Sequence, residues 1–299
     1  MVTLLLALAC APPQDGSGDA ALDPVALLAR ISLDVRGVRP SDDEIAQVVA
    51  DPEAVWTLTD TYLTDPRWGG QLRNLYAVIY RTRYEDLYIT PDEYGLLDWD
   101  GKVGFYTSLP DEPLRILSTV AEEDAPWTEI VTADWTVFDE TLASIWPSDY
   151  PEGATGWRKV HYTDGRPAVG VIASNDLWIR YYSTESNANR GRANQLSRIL
   201  LCSDYLERPV DFDIAASAST GDALLDALQN NPTCVACHAG LDPLASYLYG
   251  FWNYGFPSAE DNKRYHPERE LLWKTVTGIP PSYFGTPSYT LEDLASAIA

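Results

Sequence analysis

The stretch NPTCVACHAGLDPLASYLYGF, residues 231–251, decides how this chain is read. Within it Cys234, Val235, Ala236, Cys237 and His238 form C-x-x-C-H, the attachment sequence of c-type haem. The spacing has a chemical reason: thiols three residues apart can add to the two haem vinyl groups, and His238 then follows at the place that binds iron from the proximal side. With four cysteines and three histidines in 299 residues, chance produces such a run in roughly 4 of 10,000 chains. One covalent haem c, held by Cys234, Cys237 and His238, is therefore the expected cofactor.

Three other chemistries use the same pair of thiols. A thioredoxin-type dithiol also reads C-x-x-C, but it opens a helix in a βαβ context, whereas these residues follow Asn230, Asn231 and Pro232 in a helical region. Zinc would take Cys234 and Cys237 with one or two histidines. A plain disulfide within the loop would need no cofactor.

The other iron ligand is narrowed by composition. Met1 is the single methionine, so a His/Met cytochrome is excluded. His161 and His266 are the remaining imidazoles, and either would complete a bis-histidine site. His266 is favoured because it shares the C-terminal module with the motif. If neither binds, an open sixth position permits small-ligand chemistry.

Working outward, the chain opens with MVTLLLALAC followed by APPQDGSGD. A short apolar run, a small residue before a cysteine and a flexible polar tail match a bacterial lipoprotein signal peptide, with Cys10 carrying the lipid. No stretch reaches the 18 or so apolar residues that cross a bilayer. Export and haem agree, because c-type haem is attached on the outer side of the bacterial inner membrane. The expected location is the periplasm or outer membrane, within the cell envelope, with membrane attachment by a lipid anchor alone.

Composition limits the partners. Acidic residues outnumber basic ones 44 to 21, giving a formal charge of -23. That field repels phosphate backbones, so nucleic acid is excluded as a partner. A redox partner protein or a quinone fits an extracytoplasmic electron carrier. Ten Trp and eighteen Tyr chiefly fill helix interfaces, and Tyr247, Tyr249, Phe251, Trp252 and Tyr254 follow the motif closely enough to pack on a porphyrin. Asp98, Asp100 and Gly101 begin like a calcium loop, but the later ligand spacing fails.

The fold class is mainly α, with short-helix domains, one or two β-hairpins and a c-type haem module near the C-terminus. Four segments follow: 1–22 signal and linker, 23–90 an N-terminal helical domain, 91–200 a middle helical domain with a hairpin, and 201–299 the haem-motif module. Asp23 with Pro24 reads as a capped helix start, and Ser41 with Glu44 as a capping box. Residues 51–66 lie between prolines, and Leu72, Leu75, Val78 and Ile79 are spaced as one helical face. Tyr88 to Pro110, broken by Pro91, Gly95, Gly101 and Gly104, reads as a connector with a short hairpin. Pro113–Glu122, Asp139–Trp146, Asn189–Leu201 and Gly221–Gln229 read as helices, with Arg208–Ala218 irregular. WRKVHYTDGRPAVGVIAS, residues 157–174, alternates around Asp164 and Gly165 and predicts a tight hairpin. Cys202 reads as a small buried apolar residue rather than a reactive one, with pairing to another cysteine left open. Thr290 and Asp293 begin a capped helix.

Residues 231–251 also resemble the haem-motif segment of the planctomycete-type cytochrome c proteins, a group of multi-domain proteins of uncharacterised function. LRILSTVAEEDAPWTEIVTADWTVFDETLASIW (114–146) is similar to their upstream helical segment, and residues 161–202 resemble the stretch joining it to the motif. Residues 27–52 and 61–80 look like the helical domain that often precedes them. The resemblance implies thioether roles for Cys234 and Cys237, an axial role for His238 and an extracytoplasmic setting. It departs in two places: ERPVDFD (207–213) stands where members carry a longer proline-rich link, and members continue past LEDLASAIA (291–299), so the chain is expected to be truncated or to lack the family's last domain. The function expected is a monohaem c-type cytochrome for single-electron transfer, with no catalytic residue assigned. The alternative is an envelope module that binds polysaccharide or protein, with a structural haem or none.

Overall fold

The computed structural model describes residues 22–83, 87–184, 186–207, 230–251 and 258–299. Among these the chain is mainly helical, with two small antiparallel β-hairpins. In order the helices are α1 (Pro24–Arg36), α2 (Asp42–Ala50), α3 (Ala54–Leu63), α4 (Trp68–Tyr80), α5 (Trp99–Ser108), α6 (Asp111–Glu122), α7 (Glu129–Thr132), α8 (Glu140–Ile145), α9 (Asn175–Arg180), α10 (Arg190–Leu200), α11 (Pro232–Ser246), α12 (Ala259–Asn262), α13 (Trp273–Val276) and α14 (Leu291–Ile298). None of the described helices is long and apolar enough to cross a membrane. The opening with Cys10, the expected helix Gly221–Gln229, the segment Arg208–Ala218, and Trp252 and Tyr254 lie outside the described residues.

Local chemistry sets the helix starts. Asp23 Oδ1 accepts from Val25 N and Ala26 N at 3.0 Å each, with Pro24 in the first turn of α1. Ser41 and Glu44 close a capping box on α2, and Thr290 with Asp293 closes another on α14.

The chain divides into two compact units, Met1–Arg81 with Leu114–Trp127, and Thr82–Pro113 with Thr128–Ala299. In the first, α1, α2 and α3 bury Leu28, Ile31, Val35, Val48, Val55 and Tyr62. Arg36 forks onto the Glu44 carboxylate at 3.0 and 3.1 Å and lies 3.5 Å from the centre of the Tyr62 ring. Burial pushes the Tyr62 hydroxyl up to about 12. Helix α4 corrects one expectation: Leu75, Val78 and Ile79 are exposed, and Gly69, Leu72, Ala77 and Tyr80 face inward. The buried face is built on tyrosine bulk and on Gly69, where a Cβ would lie 1.9 Å from the Glu122 carboxylate.

The second unit is centred on Leu87, Phe105, Leu109, Phe138, Leu142, Trp146, Val160 and Ile179. Two expectations fail here. Residues 99–108 form α5 rather than a connector with a hairpin: Asp98 caps it, accepting from Gly101 N at 2.6 Å. Gly104 is a point of close packing rather than a breaker, since a Cβ there would lie 2.7 Å from Thr141 Oγ1 on α8.

The second is the hairpin around Asp164 and Gly165. Strand β1 (Thr136–Phe138) pairs antiparallel with β2 (Arg158–Val160), and Gly170–Ala173 is a 3-10 turn instead of a strand. Arg166 supplies the reason. Its buried guanidinium grips Asp164 at 2.6 Å and reaches Ala173 O at 2.7 Å, drawing the segment into the core. Gly170, at φ +52°, lies where a Cβ would meet Ile130 O at 2.2 Å. A tight turn occurs instead between β3 (Ser282–Tyr283) and β4 (Thr286–Pro287), with Phe284 and Gly285 both at positive φ.

Buried polar groups tie the second unit together. Glu112 accepts from Thr136 Oγ1 (3.2 Å), Asn175 N (2.9 Å) and the Tyr162 hydroxyl. Burial nonetheless pushes its carboxyl up. Arg192 on α10 is fully buried and donates to Tyr181 O, Trp178 O and Phe251 O at 2.6 to 2.8 Å. Burial pushes its guanidinium down to about 9, still charged at neutral pH.

Candidate functional site

The site grows from the start of α11. Asn231 caps the helix, its Oδ1 accepting from Thr233 N at 2.9 Å, and Pro232 occupies the first turn. Cys234, Cys237 and His238 then fall at i, i+3 and i+4, which places all three on one helix face. They are half-buried, whereas the helix from Leu241 onward is almost wholly buried. Both thiols are free. The motif therefore occupies an accessible first two turns on a firmly seated base.

What seats it is polar as well as apolar. His238 Nδ1 lies 2.9 Å from Asp242 Oδ1, one helical turn further on. Asp242 is almost wholly buried, and Arg190 at the start of α10 donates to both its oxygens, Nε at 2.7 Å and Nη2 at 3.2 Å. Burial raises the Asp242 carboxyl, and the hydrogen bonds from His238 and Arg190 outweigh it, holding the group below its usual range. An ionised carboxylate only accepts. The His238 proton therefore sits on Nδ1, and in the neutral ring Nε2 carries the lone pair. Among the described residues Nε2 makes no hydrogen bond.

The rest of the helix is clamped by its neighbours. A Cβ on Gly240 would lie 2.7 Å from Tyr205 Oη, so glycine lets that ring approach, and Tyr205 N is itself fixed to Asn194 Oδ1 at 2.7 Å. Ser246 Oγ lies 2.8 Å from Ile279 O. Tyr247, Tyr249 and Phe251 are buried among the chain's own side chains, Phe251 against Trp178 and Tyr265 and Tyr247 against Ser288.

The other two histidines sit elsewhere. His161 follows β2, exposed, with Nδ1 2.9 Å from Asp149 Oδ2. His266 is buried, and both nitrogens have oxygen partners: Glu268 Oε1 at Nδ1 and Asp261 O at Nε2, each at 2.9 Å. Its backbone N–H donates to Gly250 O at 2.9 Å, which ties it to the turn after α11. Iron binding by His266 would break one of the ring contacts. Among the described residues, His, Cys, Asp and Glu side chains gather into no metal-holding cluster of three or more, which lends nothing to the zinc alternative.

Cys202 also departs from expectation. It is an exposed residue at positive φ and disulfide-bonded, its partner lying outside the described residues. Asp242 was visible in the sequence as the residue four places after His238. Arg190, 52 positions upstream of Asp242, carried no local signal. No family model, curated protein or solved structure matches this chain.

Proposed function

We propose that this chain is a monohaem c-type cytochrome that passes single electrons outside the cytoplasm to a redox protein or quinone. The observation that carries the reading is the face formed by Cys234, Cys237 and His238: two free thiols beside an imidazole whose proton is held on Nδ1. In attachment, each cysteine S–H adds across a vinyl double bond, sulfur to one carbon and hydrogen to the other, so no oxidant is consumed. His238 would offer Nε2 to the iron of a bound haem, and Asp242 with Arg190 would fix the ring orientation. Bound haem would supply a one-electron couple. His161 or His266 as the second axial ligand belongs to the same proposal.

The sequence opening and Cys202 both support an extracytoplasmic setting. A disulfide suits an oxidising compartment, in line with an exported chain in the periplasm or at the outer membrane. The chain has four cysteines. A lipid on Cys10 and the bridge at Cys202 are separate readings, and export depends on neither.

Co-expression with a cytochrome c maturation system, followed by intact mass, tests the assignment. A gain of one haem that resists acid extraction, and is lost on joint Cys234→Ser and Cys237→Ser substitution, is expected. A colourless wild type under the same conditions would overturn it.

A further inference from the structure

Resting on the haem reading above, we propose that Asp242 and Arg190 form a charge relay behind His238 that sets the electron-donating strength of the imidazole and thereby lowers the reduction potential of the site. Asp242 and Arg190 are positioning residues here, since they act through His238.

The geometry has three linked parts. Asp242 Oδ1 accepts a hydrogen bond from His238 Nδ1 at 2.9 Å, within one helix, so the contact is built into α11 wherever that helix forms. The carboxylate is almost wholly buried, which makes its charge act on the imidazole through a medium of low polarity. Arg190 enters from α10 and spans both carboxylate oxygens, a fork that fixes the plane of the acid and partly neutralises it.

A carboxylate on the far nitrogen of a metal-binding histidine raises the basicity of the near one. Greater donation favours the ferric over the ferrous state, so the charge on Asp242 lowers the potential. Arg190 works against it, drawing negative charge away from His238. The two partners therefore pull the couple in opposite directions, and this separates the relay from a scaffold. Residues that merely held the helix in place would shift the couple the same way when removed.

The experiment uses the full chain matured with haem, in four forms: wild type, Asp242→Asn, Asp242→Glu and Arg190→Gln. Intact mass reports attachment and spectroelectrochemical titration reports the potential. Asp242→Asn keeps an acceptor without the charge and should shift the ferric/ferrous equilibrium about tenfold toward ferrous, about +59 mV for one electron. Arg190→Gln should lower the potential, and Asp242→Glu should stay near wild type. Shifts of equal sign in Asp242→Asn and Arg190→Gln, or potentials unchanged in both, would overturn the relay while leaving the cytochrome assignment intact.

A wild type that takes no haem overturns that assignment instead. The relay is then read in the haem-free chain by the 15N shifts of His238. A ring protonated on Nδ1 in wild type, with that preference lost in Asp242→Ala, supports it; a ring with no such preference in wild type counts against it.

Discussion

Arg192 Nη1 donates to Phe251 O at 2.6 Å, both groups buried, and so fastens α10 to the turn that follows α11. The same guanidinium satisfies Tyr181 O and Trp178 O. One side chain thus supplies two buried carbonyls, those of Trp178 and Phe251, and the part-buried one of Tyr181.

Arg192→Met keeps an unbranched stem as far as the Nε position and strands those acceptors. Each unsatisfied buried group costs on the order of 1–3 kcal/mol, so a loss of about 3 kcal/mol or more in urea unfolding is expected. A change below about 1 kcal/mol would mean that water or a rearranged backbone replaces the lost donors.

Asp176 provides a pH test. Both its carboxylate oxygens are buried without a hydrogen bond among the described residues, and burial, reinforced by Glu112, pushes the group far above its usual range. The folded chain keeps a proton there that the unfolded chain releases near pH 4. Its contribution to stability is full below that pH and is lost as pH rises toward the folded pKa. Asp176→Asn should therefore flatten the fall in unfolding free energy as pH rises above about 4. Glu112 is displaced the same way, so a residual slope remains. Identical slopes in wild type and variant would refute the assignment.

The histidines should separate cleanly. His161 is exposed, and His161→Ala should change stability by less than about 0.5 kcal/mol. His266→Ala removes a buried ring bonded at both nitrogens and should cost about 2 kcal/mol or more. If His266 is structural, a destabilised but still matured variant keeps the absorption maxima of the wild type. A spectrum that changes to a five-coordinate form would instead identify it as the second ligand.

Cys202 is expected to resist alkylation until a reductant is added, because it is disulfide-bonded. Peptide mapping of protein recovered from membranes checks this and reads Cys10 in the same measurement. A diacylglyceryl mass on the N-terminal peptide, with Cys202 alkylating freely, would establish the anchor and remove the bridge.

What could be read from the sequence was local. The caps at Asp23, Ser41 and Thr290 involve partners within four residues, and each forms as its spacing implies. The motif face of α11 belongs to the same class, because helical periodicity alone places Cys234, Cys237 and His238 together. Distant partners were not legible. Arg166 buries its charge against Asp164 and draws residues 166–173 away from a strand. Gly101 and Gly104 read as breakers until Asp98 supplies a cap and Thr141 a close neighbour. The exposed aliphatics of α4 show the same limit: spacing marks an apolar stripe without saying which side of the helix is covered.

One bridged cysteine and two open thiols in a single chain impose an order of events on its biogenesis. A milieu that closes the bond at Cys202 also exposes Cys234 and Cys237, three positions apart on the same turn, to oxidation. For a cytochrome, thioether formation must outrun that oxidation, or a dedicated reductant must guard the pair, and a maturation-deficient host should accumulate pale protein with a Cys234–Cys237 bond.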